Sequence, residues 1–502
     1  MPIRLEMGGE VVDNLQKTLE TTLGSFLDLV RCDAGSVYTV RKNSCGEEIL
    51  RFEAMITRAI NLCGVPDHLR TLEFPIDDSS IVGKTAADRK PVLLSTISEG
   101  QISPYVGELL NYTTLNMFSG PLITPRGALV GVVQLLNKTP QFDEVDERLF
   151  SIMAGQAALA IENSLLLEEQ EHLIEGFVNA CVTAIEARDP VTSGHSMRVS
   201  NYTVGLTEAV NRTDTGPLRD VFFTPTQVRE IRFASMLHDV GKIGVKEEIL
   251  QKQKKLLPHE LEIILMRLKL MRAQMTLLEQ TTKGNYGETI ERVDTAWRRL
   301  VEANEPSVST LIALEVVRDL RALTVPFETG EILSALTEDE AQKLSVARGT
   351  LSESERLEIE HHVNKTFDIL KMIPWSRGLE QVPEIAFKHH EKLDGSGYPQ
   401  RITAEQIPPQ TRMMTICDIF DALTANDRPY KMATTTERAL DIIATNVKSG
   451  KVDGAYFDIF VRAQLFEAAS SARYSHSFPQ SSFGNTPLSC HASPSALELQ
   501  VW

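Results

Sequence analysis

The chain has 502 residues, of which 42% are hydrophobic, and this length suggests about three domains. Its formal net charge of −17 argues against a surface that coats nucleic acid, because such a surface needs a basic face to displace counterions. Six cysteines without paired metal spacing or a disulfide framework predict a reducing cytoplasm, and no run approaches the roughly 18 apolar residues of a membrane span.

Residues 1–165 predict an α+β domain, because period-two apolar segments alternate there with segments of helical periodicity. The predicted strands cover 35–40, 48–55, 91–95 and 127–136, and the predicted helices cover 11–32 and 146–166. Residues 74–84 and 131–138, with a continuation through 157–163, resemble a GAF sensory domain.

A charged and aromatic signature strengthens that resemblance. In cyclic-nucleotide phosphodiesterases, GAF domains carry a signature that falls here on Asn137, Lys138, Phe142, Asp146 and Glu147. One interpretation is a cyclic-nucleotide or other small-molecule sensor. The other, which we favour, is a buried ion pair between Lys138 and Asp146 that holds the loop, since buried charges are usually paired.

Residues 148–187 predict one long linker helix. Apolar residues recur every seven positions, at Met153, Ala160, Leu167, Ile174 and Cys181. This spacing is typical of a coiled-coil seam, but the second row, at 157, 164, 171, 178 and 185, is only partly apolar. Both a parallel homodimer and a single helix facing its own core remain open; a dimer would carry changes in the GAF domain to the C-terminal domain.

A candidate metal-ligand pair, His238 and Asp239, lies in the segment Ala-Ser-Met-Leu-His-Asp-Val-Gly-Lys-Ile-Gly, residues 234–244. If 233–240 is helical, the two side chains project about 100° apart and can address two metals. Gly241 then ends the helix, and Lys242 can reach an anionic ligand. By itself the dipeptide is a weak signal, and a capped, hydrogen-bonded helix end explains it better.

Residues 252–355 are rich in helical patterns. Predicted helices cover 258–280, 287–304 and 308–323, each without internal proline. This stretch is interpreted either as a helical hairpin or lid beside a site, or as a dimerisation or structural outgrowth.

A second ligand cluster begins at His389 and His390, in His-His-Glu-Lys-Leu-Asp-Gly-Ser-Gly-Tyr-Pro, residues 389–399. Two imidazoles and the carboxylates of Glu391 and Asp394 stand beside a glycine loop that allows close approach to a ligand. Further candidate ligands are His195, His361, His362 and Asp418.

These segments together resemble the HD-GYP family of the HD phosphohydrolase superfamily, whose members hydrolyse cyclic di-GMP. The resemblance covers about 175–465, with 252–355 as an insertion, since Asp239 and His362 lie further apart than the family core requires. Together with the GAF resemblance, it implies an α+β GAF domain joined by a long helix to an all-α HD-type domain with a helical insertion. The serine-rich tail, 468–502, is predicted to be disordered.

The resemblance also implies a set of site residues. The metal ligands would be His195, His238, Asp239, His362, His389, His390 and Asp418. Asp239, as the bridge, and Lys242 would be catalytic, and the substrate would contact Lys242, Asp394, Gly397, Tyr398, Arg428 and Lys431. His362 fits the family pattern better than its neighbour His361.

Two divalent ions are expected. Mixed imidazole and carboxylate ligands suit both iron and manganese, and redox-active iron is preferred, with manganese as the second choice. Some relatives place a glutamate, the ligand of a third metal, where this chain has Val191. The implied function is hydrolysis of cyclic di-GMP to pGpG or further to GMP, regulated by the GAF domain. The alternatives are a cyclic di-GMP receptor or interaction scaffold and, less well supported, a nuclease or nucleotide triphosphohydrolase.

Overall fold

The computed structural model describes residues 9–58, 62–63, 72–97, 113–189, 194–282, 284–326, 331–425 and 434–467. The chain divides after Glu175 into two compact units, and each is described separately. The predicted disordered tail, 468–502, lies outside the described residues.

The first unit is an α+β domain built on an antiparallel sheet. Its elements are α1 (Gly9–Val30), β1 (Cys32–Lys42), β2 (Glu48–Thr57), β3 (Leu62–Cys63), β4 (Glu73–Pro75), α2 (Ile81–Asp88), β5 (Val92–Leu94), β6 (Met117–Ile123), β7 (Leu129–Lys138) and the start of α3 (Glu144–Arg188). The strand order is β3-β2-β1-β7-β6-β5, with β4 paired to β2. The predicted strands and helices are all present.

The sequence patterns did not predict β6. Six of its seven residues are buried, so it lacks the alternation of a half-exposed strand, and Gly120 and Pro121 in its middle are typical of turns. Gly120 is needed there because a Cβ atom would lie 2.4 Å from the ring of Phe150 on α3. Phe118 packs against that same ring, with centroids 4.9 Å apart.

Helix α3 buries one of its faces in this domain. Ala157, Ala158 and Ile161 join α1 and the sheet in one core, and Ser164 is also buried. Four of the five residues in the second heptad row, 157, 164, 178 and 185, are buried, which agrees with a row that faces a protein core. The most apolar 18-residue window of α3 has mean hydropathy 1.3. By length and composition alone this is enough for a membrane span, but the core helices of other proteins pass the same test.

The second unit is helical. Its elements are the end of α3, α4 (His195–Asn211), α5 (Pro225–Leu237), a 3₁₀ helix (Val240–Gly244), α6 (Glu247–Leu250), α7 (Pro258–Thr282), α8 (Gly287–Ala303), α9 (Thr310–Arg321), β8 (Thr324–Pro326), β9 (Ile332–Ser334), α10 (Glu338–Leu344), α11 (Glu353–Glu360), α12 (His362–Lys371), α13 (Val382–Phe387), a 3₁₀ helix (Ala404–Gln406), α14 (Pro409–Thr424), α15 (Thr436–Lys448) and α16 (Gly454–Arg462).

The inserted segment forms a core of its own. Helices α7, α8 and α9 bury Met271, Leu300 and Leu320 together, close to the predicted helix positions. The β8-β9 hairpin was not predicted, because three-residue strands are too short for a periodic signal. The ends of the insertion meet: Lys252 Nζ contacts Glu355 Oε1 at 2.6 Å, with both side chains largely buried.

Candidate metal centre

The first ligand pair lies just beyond a helix end and not inside a helix. Helix α5 ends at Leu237, and Asp239 has φ −102° and ψ 6°, so the predicted continuous helix over 233–240 is wrong. The following 3₁₀ turn packs against α12, where a Cβ atom on Gly241 would lie 2.0 Å from the carbonyl oxygen of His362. Because glycine has no Cβ atom, the backbone at 241 can approach the backbone of His362 this closely, which places the first cluster beside His362.

Three histidines share one hydrogen-bonding pattern. Each places Nδ1 near the backbone carbonyl three residues earlier: His238 on Ser235 at 2.7 Å, His362 on Ile359 at 2.6 Å and His389 on Ala386 at 2.6 Å. A carbonyl oxygen can only accept a hydrogen bond, so Nδ1 is the donor in each pair and Nε2 is the ring nitrogen left for other contacts. All three Nε2 atoms are buried, and none makes a hydrogen bond of good geometry within the described part of the chain, although those of His238 and His362 lie 3.4 and 3.2 Å from the Asp239 carboxylate.

These open nitrogens converge with carboxylates. The side-chain atoms that could bind a metal form three overlapping groups, and within each group they lie within 4.8 Å of one another. The groups are His195, His238 and Asp239; His238, His389 and Asp418; and His362, His389 and His390. The seven residues that the sequence proposed as ligands therefore come together from α4, the α5 end, α12, the α13 end and α14.

Asp239 lies between two of the histidines. Its Oδ1 is 3.2 Å from His362 Nε2, and its Oδ2 is 3.4 Å from His238 Nε2. Lys242 Nζ also contacts Oδ2 at 2.6 Å. Burial alone would raise the pKa of Asp239, but Lys242 and His238 outweigh it and hold the pKa well below its usual value. The carboxylate is ionised and offers its two oxygens to different neighbours.

His195 is held by a carboxylate that the sequence interpretation missed. Its Nδ1 lies 2.7 Å from Asp421 Oδ2, and its Nε2 lies 3.3 Å from Asp418 Oδ1. Arg198 Nε donates to Asp421 Oδ1 at 2.6 Å. Burial would lower the pKa of His195, but Asp418 and Asp421 raise it to about 9. The signal for Asp421 was its spacing, one helical turn after Asp418.

His389 and His390 are neutral at pH 7. Burial, reinforced by neighbouring imidazoles, lowers the pKa of His389 well below its usual value. Burial also lowers the pKa of His390, to about 3, with Asp418 opposing and His362 reinforcing the shift. Neutral imidazoles are the form that binds metals.

A second residue missed by the sequence interpretation is Thr366, which ties the first cluster to α12. Its hydroxyl donates to the carbonyl of His238 at 3.0 Å and accepts from the Gly241 amide at 2.9 Å. It stands four residues after His362 on α12, so the threonine and the ligand share one helix face. His361 is exposed whereas His362 is buried, which agrees with the preference for His362.

The glycine loop folds back beside His390. The Tyr398 ring lies against the His390 ring, with centroids 4.7 Å apart, and a Cβ atom on Gly397 would meet the Lys392 amide at 2.4 Å. Glu391 is buried and accepts the backbone amides of residues 400–402, at 2.6, 3.1 and 3.2 Å. Glu391 therefore braces the loop and is not in the ligand cluster.

One predicted substrate contact, Asp394, lies in a surface turn. Asp394 is exposed and accepts from the Ser396 amide at 2.9 Å and its hydroxyl at 2.6 Å, so its carboxylate closes a turn. Arg428, Lys431 and Val191 lie outside the described residues.

In the first unit, the predicted ion pair is present. Lys138 Nζ contacts the buried carboxylate of Asp146, which also accepts from the Asp143 amide at 2.9 Å. Phe142 is buried in the domain core, and the Asn137 side chain accepts from the Leu115 amide at 2.7 Å. Glu147 lies in the first turn of α3. These residues close the corner between β7 and α3.

The donor set of the second unit fits divalent cations. Three buried ring nitrogens make no hydrogen bond within the described residues, and the buried carboxylate of Asp239 and the half-buried one of Asp418 stand among them. Without a cation, buried polar atoms of this kind cost free energy. Imidazole and carboxylate ligands together suit iron, manganese or zinc.

Residues 14–161 match the GAF domain family, and residues 337–456 match the HD domain family. The chain therefore contains a GAF domain followed by an HD domain. The matched HD segment includes His362, His389, His390 and Asp418, whereas the first cluster lies upstream of the insertion.

Three curated proteins of Vibrio cholerae are similar to this chain. The 3'3'-cGAMP-specific phosphodiesterase 3 is 25% identical over 66% of this chain and 47% of its own length. The 3'3'-cGAMP-specific phosphodiesterase 1 is 38% identical over 23% and 26%. A probable cyclic di-GMP phosphodiesterase is 26% identical over 58% and 44%. The chain thus spans less than half the length of each of these relatives.

Proposed function

We propose that the C-terminal unit is a metal-dependent phosphodiesterase that hydrolyses cyclic di-GMP to pGpG or further to GMP, and that the GAF domain regulates it. One observation carries the proposal: the open Nε2 atoms of His238, His362 and His389 converge with Asp239 and Asp418. A structural polar core would satisfy these atoms internally. The names of the relatives support a cyclic dinucleotide as substrate.

Two divalent ions, iron rather than manganese, would be held by the seven clustered residues. When bound, such ions supply positive charge and a water of lowered pKa. Asp239 is suited to the bridging role because its two oxygens face different histidines. Asp421 orients His195 by accepting from Nδ1, so Nε2 points at Asp418 and the cluster.

Among the described residues, Lys242 is the cation nearest the cluster, and we propose that it contacts the substrate. Burial would lower the pKa of its ammonium group, but Asp239 outweighs that effect and raises it, so Lys242 stays charged at pH 7. A charged ammonium beside the ligands can offset charge on a phosphodiester oxygen. Arg428 and Lys431 are proposed to assist it.

The glycine loop is proposed to hold the substrate. Gly397 lets the loop fold tightly over residues 390–392, and the Tyr398 ring offers a flat apolar face beside His390. Asp394 would act through the turn that it closes on Ser396. We also propose that the GAF domain binds a small molecule, that the protein forms a homodimer, and that it is cytoplasmic.

The decisive experiment combines metal analysis with product analysis. Protein purified anaerobically is assayed for metal and incubated separately with cyclic di-GMP and 3'3'-cGAMP, and the products are resolved by chromatography. We expect two ions per chain and linear products from cyclic di-GMP. Cleavage of 3'3'-cGAMP alone would overturn the substrate assignment, and tight binding without cleavage would identify a receptor.

The adjacent histidines 361 and 362 supply a matched control. We expect His362→Ala to remove metal and activity together, because it deletes one of the three open Nε2 atoms. His361→Ala removes an exposed imidazole one position away and should leave both unchanged. Equal effects of the two substitutions would contradict the ligand assignment.

A further inference from the structure

His390 is held differently from the other histidines of the cluster. The rings of His195, His238, His362 and His389 are each fixed by a hydrogen bond at Nδ1. Within the described residues, the ring of His390 makes no hydrogen bond, although it forms a candidate ligand group with His362 and His389. A metal-binding imidazole is normally fixed in orientation by a neighbouring group. The orientation of His390 must therefore come from packing.

Among the described rings, that of Tyr398 is the one that packs against His390 from outside the cluster. The two centroids lie 4.7 Å apart with 39° between the ring planes, and the Tyr398 amide donates to the His390 carbonyl oxygen at 3.2 Å. The other rings beside His390 belong to His389 and His362, which are candidate ligands themselves. The position of Tyr398 therefore determines how far the His390 ring can turn.

Tyr398 lies in the glycine loop, and the two ends of this loop are joined. The Ala404 amide donates to the Leu393 carbonyl oxygen at 3.1 Å, and Asp394 and Thr403 form an isolated antiparallel bridge. Because both ends meet at one place, whatever holds the chain just after Ala404 also holds the loop that carries Tyr398.

Arg412 holds that part of the chain from the start of α14. Pro408 and Pro409, which begin this helix, have no amide hydrogen, so the backbone there cannot donate to the preceding chain. The Arg412 side chain supplies the missing donors: Nε donates to the Ile407 carbonyl oxygen at 2.9 Å, and Nη2 donates to that of Ala404. Arg412 therefore ties the base of the glycine loop to α14.

Asp453 fixes the guanidinium group in place. Its Oδ2 accepts from Arg412 Nη1 at 3.1 Å, and its Oδ1 accepts from the Ala455 amide at 3.0 Å, at the start of α16. The side chains of Arg412 and Asp453 are 23% and 15% exposed, so water screens the pair only in part. Because α14 also carries Asp418, one arginine connects the helix of a candidate ligand to the loop that packs on another.

We propose that Arg412 is a positioning residue for the metal centre: it holds the base of the glycine loop, and the loop keeps the Tyr398 ring against His390. The inference rests on the proposed metal site and not on the identity of the substrate. Removing the guanidinium group should loosen the loop, free the His390 ring and weaken metal binding. None of its hydrogen bonds within the described residues reaches a candidate ligand, so the effect must pass through the loop.

A purely structural arginine would behave differently, and the chain offers one for comparison. Arg267, in the insertion, donates to the Ala335 carbonyl oxygen at 3.1 Å and to the Glu340 carboxylate at 2.7 Å. Its side chain is 19% exposed, close to the value for Arg412. Arg267→Met therefore removes a similar set of hydrogen bonds from the same unit without touching the glycine loop, and it is the matched control for Arg412→Met.

Hydrogen exchange measures the loop directly. The backbone amides of residues 400–402 are held by Glu391, so they should exchange slowly in full-length wild-type protein. We expect Arg412→Met to speed exchange in peptides that cover 400–402, and Arg267→Met to leave it unchanged. Equal exchange in wild type and Arg412→Met would show that the arginine does not hold the loop, and would overturn the proposal.

A double-mutant cycle tests the route through Tyr398. Metal-free full-length protein is titrated with Mn²⁺, and we expect Arg412→Met to weaken the affinity about tenfold, the lower end of the range for groups behind a ligand. If Arg412 acts through Tyr398, adding Arg412→Met to Tyr398→Ala should weaken it by no more than about a further twofold. Additive losses, or unchanged affinity with a thermal midpoint lowered as in Arg267→Met, would overturn the proposal.

A milder variant keeps the test valid if Arg412→Met does not fold. Asp453→Asn retains a side chain that caps α16 but removes the charge that fixes the guanidinium group. It should weaken Mn²⁺ affinity in the same Tyr398-dependent way by a smaller factor, and losses that add to those of Tyr398→Ala would contradict this. Wild type that binds Mn²⁺ but cleaves no cyclic dinucleotide would refute the proposed reaction alone. Wild type that binds no divalent metal would refute the metal site and this inference together.

Discussion

The two charged motifs of this chain differ in what their polar atoms do. At the corner of the GAF domain, Lys138 and the buried Asp146 satisfy each other. In the second unit, His238, His362 and His389 turn one nitrogen to their own backbone and leave the other buried without a hydrogen-bond partner. The first motif is closed, and the second is open.

This difference distinguishes a structural ion pair from a candidate ligand-binding site. A closed pair contributes to folding and leaves no atom for a ligand, so its loss should reduce stability. An open cluster costs free energy in the absence of a ligand, so it is understandable only if something binds there. Substitutions in the two motifs should therefore affect different measurements.

The largest expected effect is on activity, from Asp239→Asn. The amide keeps the shape but removes the charge that faces two histidines. We expect the rate of cyclic di-GMP hydrolysis to fall more than about 100-fold, since even residues behind the ligands typically contribute 10–100-fold. Lys242 can still donate to the asparagine oxygen and keeps the nearby charges of Asp189 and Asp418, so the loss of stability should be smaller than that caused by deleting a partner outright. A rate within about tenfold of wild type would refute the open-cluster interpretation.

The closed motif should respond in the opposite way. Lys138→Met leaves the carboxylate of Asp146 buried without its cation, which typically costs about 3–5 kcal/mol of unfolding free energy. Calorimetry should show the GAF transition shifted, with the metal content of the second unit unchanged. Lys84→Met removes an exposed pair in the same domain, so it should cost less than about 1 kcal/mol. Equal costs for the two lysines would show that the corner is not a buried pair.

The candidate site could be located from the sequence because most of its clustered residues lie in dense local motifs. His238 with Asp239, and His389 with His390, are adjacent in sequence, so no tertiary contact is needed to find them. Asp421 was missed because its role is a contact between residues 226 positions apart. Likewise Thr366 acts by touching a carbonyl 128 positions away.

The fold was predicted where periodicity is strong. Helices α7, α8 and α9 have long periodic patterns, whereas the buried strand β6 and the short β8-β9 hairpin have none. On α3 the period of seven was found, but an exposed apolar row lies one residue before the predicted seam, at Val145, Ile152, Leu159, Leu166 and Leu173. Which of two apolar rows faces solvent depends on how α1 and the sheet pack, and a heptad pattern does not contain that information.

Asp421 offers an intermediate test, because it supports the open cluster from behind. Asp421→Asn should weaken metal affinity about 10–100-fold, since carboxylates behind a ligating histidine typically contribute that much. The asparagine can still accept from His195 Nδ1, but it no longer helps to raise the pKa of that imidazole. Metal titration at several pH values is the measurement. Unchanged affinity with a lowered thermal midpoint would assign Asp421 a structural role through Arg198 alone.

The smallest expected effect is a pH dependence in the insertion, which contains a second closed pair. Arg267 contacts both carboxylate oxygens of Glu340 at 2.7 Å, and Glu340 is 6% exposed. Burial would raise the pKa of Glu340, but the hydrogen bonds from Arg267 outweigh it and lower the pKa. A lowered folded-state pKa contributes stability above the unfolded value of about 4.3, and this contribution disappears as the pH falls through the folded value.

We therefore expect Glu340→Gln to cost about 1–3 kcal/mol at pH 7, as for a buried hydrogen-bonded charge, and progressively less as the pH falls below about 4.3. Denaturant unfolding of wild type and variant across that pH range is the measurement. Glu338→Gln, at an exposed pair with Arg321, is the control and should show a much smaller change. Because the pair is closed, metal content should stay constant in both variants. A loss of metal with Glu340→Gln would show that the insertion supports the candidate metal centre, and closed and open motifs would then be coupled.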